Sequence, residues 1–145
     1  MYPHRIRLRG PWECEPLARM VVHADGRLET LTGPLPPACR MTMPCRWGEG
    51  GLGDFAGRVR FRRRFGYPGR IDAHERVWLT FAGVDAVAEV RLNGHFLGRH
   101  EGADPFEFEV TALLQARNEL IVDVEAPAGN GGLWGEVAME VRCGS

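Results

Sequence analysis

The sequence predicts an all-β chain folded as an antiparallel β-sandwich, and three observations carry that expectation. About seven short segments alternate apolar and polar residues, with turn signals roughly every 8–12 residues. An Asn93-Gly94 pair stands between two such segments; it is the strongest short-range hairpin signal, because a type I′ turn needs positive φ at both central positions. No amphipathic pattern runs longer than two helical turns.

Taken in chain order, Ile6 and Leu8, with Trp12 beyond them, suggest a first strand. Met20-Val21-Val22 suggests a second, closing at Asp25-Gly26, and Gly33-Pro34-Leu35-Pro36-Pro37 is a connector. Between Cys45 and Gly57, five glycines surround Trp47, Leu52 and Phe55, which reads as a long loop. Arg58 to Phe65 alternates cleanly, with Val59, Phe61, Arg63 and Phe65 on one face and Arg58, Arg60, Arg62 and Arg64 on the other. Tyr67-Pro68-Gly69 ends that strand. Val77, Leu79 and Phe81 form the next apolar face, broken at Gly83; Ala88, Val90 and Leu92 lead into the Asn93-Gly94 turn and out through Phe96 and Leu97. Phe106, Phe108 and Val110 lie opposite Glu107 and Glu109, after which Thr111 is expected to cap a short helical turn that Asn118 ends. Leu120, Val122 and Val124 form a strand closed by Ala126-Pro127. The run Gly129-Asn130-Gly131-Gly132 reads as a flexible loop, and Val137, Met139 and Val141 form the last strand.

At 145 residues the chain is one domain, 1–145, and too short for a (β/α)₈ barrel, which needs about 200 residues or more. With 18 basic residues against 19 acidic, net −1, it lacks the basic excess of a nucleic-acid binder. Every basic residue is arginine, which removes lysine Schiff-base chemistry and a P-loop lysine. No window approaches the roughly 18 apolar residues of a membrane-spanning helix, so no membrane partner is expected. The N-terminus lacks the apolar core of a secretory signal, which points to a cytoplasmic protein. Cys14, Cys39, Cys45 and Cys143 contain no C-x-x-C and no histidine at a zinc interval, and read as reduced thiols. Arg63, alone among apolar neighbours on its face, is expected to form a structural ion pair; Arg58, Arg60, Arg62 and Arg64 are expected to pair with carboxylates across strands.

Arg76-Val77-Trp78-Leu79-Thr80-Phe81-Ala82-Gly83-Val84-Asp85, then Ala88-Glu89-Val90-Arg91-Leu92-Asn93-Gly94-His95-Phe96-Leu97-Gly98, follow one another with His100-Glu101-Gly102 and Pro105-Phe106-Glu107-Phe108-Glu109-Val110-Thr111. Asn118-Glu119-Leu120 and Gly132-Leu133-Trp134-Gly135-Glu136-Val137 complete the series, and Gly57 to Phe65 supplies an early strand. In that order and spacing the chain resembles the N-terminal sugar-binding domain of glycoside hydrolase family 2, the β-galactosidase, β-glucuronidase and β-mannosidase family, over residues 45–142; residues 20–43 depart from the pattern. The resemblance implies a galactose-binding-type jelly roll. In family members it precedes an immunoglobulin-like domain and a catalytic barrel bearing both catalytic glutamates, neither of which this sequence contains. It therefore implies a non-catalytic module without cofactor. A Met1 start and an end just after the last strand suggest a stand-alone domain.

Sugar binding needs an aromatic platform for the apolar face of the ring, bordered by planar hydrogen-bonding groups. Trp47, His100, Glu101, Asp104, Asn130 and Trp134 fall in loops or at strand ends and are the candidates. Each has a structural reading as well: Trp134 can plug the sandwich end, and His100-Glu101-Gly102 can be a turn with Glu101 paired to an arginine. Trp12 reads as core, while Trp78 either packs on another sheet or faces solvent. Glu107 and Glu109, outward on one strand, read as solvated charges and not as the carboxylate pair of a glycosidase. Galactose-binding-type sandwiches often carry a structural calcium, for which Asp54, Asp85 and Asp104 are the loop carboxylates available, although no EF-hand-like spacing supports one. The expected ligand is a neutral carbohydrate, such as a β-linked galactoside, glucuronide or mannoside. The alternative is a protein-interaction sandwich that docks a separate glycosidase or forms a homodimer.

Overall fold

The computed structural model describes residues 4–144, which form 13 strands and two short helical turns, Gly48–Leu52 and Thr111–Leu113. Strands β1 (His4–Arg7), β13 (Val137–Cys143), β7 (Glu75–Phe81) and β10 (Phe106–Glu109) make a small antiparallel sheet in that order. The large sheet runs β3 (Leu28–Leu31), β2 (Trp12–Val22), β6 (Gly57–Gly66), β11 (Arg117–Ala126), β8 (Val87–Leu92) and β9 (His95–Glu101), with β4 (Cys39–Met41) also on β2. A separate pair, β5 (Cys45–Arg46) with β12 (Gly132–Leu133), sits at one end. This is the expected all-β sandwich, and the period-two patterning explains its layers. Phe61, Val59, Val90, Leu120, Val122 and Val124 of the large sheet and Val77, Leu79, Phe81, Met139 and Val137 of the small one are buried in a single apolar core.

Asn93 and Gly94 turn β8 into β9 with φ of 51° and 83°, the doubly positive geometry that their identities call for. The N-terminal third differs more. Ile6 and Trp12 do not share a strand: β1 belongs to the small sheet, and β2 starts at Trp12 in the large one. Strand β2 is also much longer than Met20-Val21-Val22, because it accommodates Pro16 at a bulge between Pro16 and Ala18 in its pairing with β6. On its other edge β4 pairs with Trp12–Cys14 and β3 with Arg19–Val22, leaving Pro16 in the interval where no neighbour asks for an N–H.

The arginine stripe of β6 finds its carboxylates: Arg58 meets Glu125 at 2.8 Å, Arg60 forks onto Asp123 at 2.9 and 3.0 Å, and Arg62 and Arg64 each approach Glu119 at 3.4 Å. Arg63 departs from expectation. Among the described residues it forms no ion pair; its Nη1 donates to the carbonyl of Arg64, while its Nε is buried without a hydrogen-bond partner. Thr111 likewise caps nothing. It opens the helical turn, and its hydroxyl accepts from the Val77 N–H at 2.8 Å, tying the turn to β7. All four cysteines are free, and burial pushes the Cys14 thiol up to about 12, reinforced by Cys39 and Cys45 nearby.

Candidate functional site

Strand register places the informative loops together. Phe81 at the end of β7 pairs with both Phe106 and Val137, the first residues of β10 and β13. In the other sheet Val87 pairs with Glu101 and Glu125, and Ala126 with Gly57. The segments after β5, before β8, after β9 and between β11 and β13 therefore gather at one end of the sandwich. All six predicted residues lie there, although they do not form one surface.

Trp47 is corrected from platform to plug. It is fully buried, its Nε1 donates to the Phe55 carbonyl at 2.8 Å, and its ring meets that of Phe55 edge-on at 6.0 Å, so it has no face to offer. His100 points inward from β9, stacked at 4.1 Å on Phe106, which stacks at 4.7 Å on Phe81; this aromatic column spans the seam between the sheets. Glu101 is exposed and paired with Arg99 at 3.0 Å, and Asp104 is exposed in the loop that follows.

Asn130 and Trp134 belong to a tighter arrangement built around Arg46, which sequence reasoning did not single out. Arg46 Nη1 donates to Asp85 Oδ2 at 2.8 Å and to the Asn130 carbonyl at 3.2 Å, while its guanidinium lies over the Trp134 ring, 5.3 Å from the centroid. Trp134 is half-buried against Gly83, where a Cβ would stand 2.4 Å from the indole, so only glycine admits the ring. Its Nε1, like His100 Nε2, is buried without a hydrogen-bond partner. The expected flexible glycine run is instead fastened on both sides: Trp47 N–H donates to the Gly131 carbonyl at 2.8 Å, and Asp85 and Gly132 exchange backbone hydrogen bonds at 3.2 and 3.3 Å. The only signal that could have found Arg46 was its place beside Trp47 at the start of the glycine-rich loop.

The loop carboxylates are placed separately. Asp85 is turned onto Arg46, and among the described residues no three His, Cys, Asp or Glu side chains come together. Glu107 is occupied too: Arg142 grips it at 2.7 and 3.0 Å and holds its carboxyl below the usual carboxylate range.

Two antiparallel sheets packed as a sandwich are the architecture of a galactose-binding-type domain. Residues 56–132 match the family described as "Glycosyl hydrolase 2 galactose-binding domain-like", and the chain belongs to that family. A β-galactosidase from Thermoanaerobacter pseudethanolicus is 42% identical over 45 residues, 30% of this chain and 6% of that protein. The fold is shared with the Bifidobacterium dentium β-glucuronidase solved with coumarin-3-O-glucuronide, at TM-score 0.75 and 24% identity over 97% of this chain and 30% of that one. A Faecalibacterium prausnitzii β-glucuronidase gives TM-score 0.74 and 21% identity, covering 97% of this chain and 32% of that one. This chain thus spans less than a third of the length of each of these relatives, and the part it matches is the N-terminal, non-catalytic domain.

Proposed function

We propose that the chain is a non-catalytic carbohydrate-binding module that receives a sugar at the loop end of the sandwich. The observation that carries this reading is the Arg46–Asp85–Asn130–Trp134 arrangement, in which a guanidinium is immobilised by a carboxylate and a carbonyl against an indole. Trp134 supplies the aromatic edge, Arg46 and Asp85 supply donors and acceptors in fixed orientation, and the exposed side chains of Glu101, Asp104 and Asn130 border the same end. A preorganised polar set of this kind avoids most of the ordering cost that a flexible loop would bring to binding. The glucuronide held by the Bifidobacterium dentium enzyme and the β-galactosidase likeness support β-linked glucuronides and galactosides as first ligands to try, with mannosides beside them. The module is expected not to hydrolyse them alone: both glycosidic carboxylates would have to face one cleft unpaired, whereas Asp85 is committed to Arg46 and Glu101 to Arg99.

The test is a glycan array at neutral pH with the parent protein beside Trp134→Ala and the surface double variant Glu101→Gln, Asp104→Asn. Binding of a β-linked glycoside that disappears in Trp134→Ala and weakens in the double variant is the expected result. Silence across the array from folded protein would overturn the reading and turn the search to a protein partner.

A further inference from the structure

We infer that Cys14 and Cys39 form a redox-active dithiol, which a low-molecular-weight disulfide oxidises to a reversible bond between strands β2 and β4. The two residues are register partners: Trp12, Glu13 and Cys14 of β2 pair with Met41, Arg40 and Cys39 of β4. Directly opposed residues of an antiparallel pair stand about 4.5–5.5 Å apart between Cα atoms and project from the same face of the sheet. A disulfide spans Cα separations of about 4.4–6.8 Å, so the strand pairing itself brings these two thiols within bonding range. The other two cysteines are placed differently. Cys45 is near both, but it stands on β5 and its Sγ donates to the Arg46 carbonyl at 3.0 Å; Cys143 is on the small sheet.

The surroundings give the two thiols different parts in the exchange. Cys39 is half-buried, whereas Cys14 behind it is fully buried. A cavity of about 330 Å³ is lined by both, by three arginines and by Glu13 and Glu15. Arg60 and Arg62 are occupied by Asp123, Glu119 and Glu13, while exposed Arg40 meets no carboxylate at salt-bridge distance among the described residues. Such a mouth suits a small peptide disulfide such as glutathione disulfide, whose carboxylate a guanidinium can hold as its sulfur reaches Cys39. Burial raises the Cys14 thiol to about 12 and raises Cys39 as well, so the more open Cys39 acts first and the exchange quickens with rising pH. The Cys39 thiolate attacks one sulfur of the incoming disulfide, whose S–S bond breaks and expels a small thiolate. Cys14, its proton taken up by that thiolate, then attacks Cys39 Sγ; the mixed disulfide breaks and the second small thiolate leaves. Two protein thiols are oxidised and one external disulfide is reduced to two thiols. The bond closes a ring of about 25 residues that holds β3 and the proline-rich connector, and it pins a three-residue edge strand to β2.

This dithiol does not depend on the loop-end reading. It is tested on the full chain in mixtures of reduced and oxidised glutathione at mildly alkaline pH, trapped by alkylating the remaining thiols. Trypsin leaves Cys14, Cys39 and Cys45 on separate peptides, 10–19, 28–40 and 41–46, so mass spectrometry reads the pairing directly. The expected product is a cross-link between peptides 10–19 and 28–40, formed by native protein, abolished in Cys39→Ser, retained in Cys45→Ser and reversed by dithiothreitol. Cys14→Ala is expected to stop at a glutathione adduct on Cys39. The oxidised parent should melt about 10 °C above the reduced one, a shift that Cys39→Ser loses. The proposal is overturned if native protein forms no such cross-link, if Cys45 takes the place of either partner, or if the bond forms only in denaturant. The peptide map of the parent decides each of these outcomes even where a variant fails to fold.

Discussion

The two ends of the sandwich are built to opposite specifications. At the end opposite the loops, Asn118 is the buried polar residue of the interior, and its amide is fully used: Oδ1 accepts from Asn93 Nδ2 at 2.9 Å and from the Gln115 N–H at 2.8 Å, and Nδ2 donates to the Gln115 carbonyl at 2.9 Å. Asn93 completes the network by donating to the Leu113 carbonyl at 2.9 Å and accepting from the Glu119 N–H at 2.8 Å. At the loop end the apolar seal is equally tight, through Trp47, Phe55 and Leu52, yet the polar groups close on one another only in part, through Arg46 with Asp85 and Arg99 with Glu101. Trp134 Nε1 and His100 Nε2 lack partners, and Asn130, Glu101 and Asp104 face outward. A fully satisfied network fixes a fold; an incomplete one leaves hydrogen-bonding capacity for something else.

Three substitutions sharpen that contrast, and a fourth, at Glu107, calibrates it. The largest loss is expected for Trp47→Ala, which empties a fully buried site under the loop end and should cost about 4 kcal/mol, read as a lowered denaturant midpoint. Next comes the comparison of two asparagines. Asn118→Ala strands several buried backbone groups and should cost about 3 kcal/mol, whereas Asn130→Gly, at an exposed position with φ of 48°, should stay within about 0.5 kcal/mol. Equal losses at the two positions would erase the distinction between the ends. The smallest effect belongs to Glu107, away from both. Its hydrogen bonds to Arg142 lower its folded pKa, so its contribution is whole above the pKa of the unfolded carboxyl and drains away as pH falls through that value towards the folded one. Because the side chain is 41% exposed, solvent screens the pair and the acid limb should be only slightly steeper than in Glu107→Gln, measured by thermal melts over the acidic range.

Where the sequence was read well, side-chain period and turn chemistry agreed. From Gly57 onward Val59, Phe61, Val90, Val122 and Met139 alternate with charged residues and all lie in the core, and Asn93-Gly94 turns as its identity requires. Strand β2 was harder because Pro16 interrupts the pattern, and the gap between β3 and β4 that tolerates it is a tertiary fact with no local signature. The same limit applied to the site. Chain position showed that Asn130 and Trp134 fall at a sandwich end, but the pairing of Arg46 with Asp85 joins residues 39 positions apart, and no periodicity encodes it. Trp47 misled for the converse reason: a glycine-rich loop suggests exposure, while this one folds inward to carry an indole into the core.

The divided flank of β2 has a consequence for how the protein behaves in a crowded solution. An uninterrupted outer strand would present a row of unpaired amides and carbonyls onto which a stray chain can zip, the route to fibrils and tangled oligomers. Here the rim is cut into a four-residue piece, Leu28–Leu31, and a three-residue piece, Cys39–Met41, with a proline at the break. Neither stretch is long enough to template a growing ribbon, so the residue that hides β2 from the reader also keeps that border from recruiting intruders.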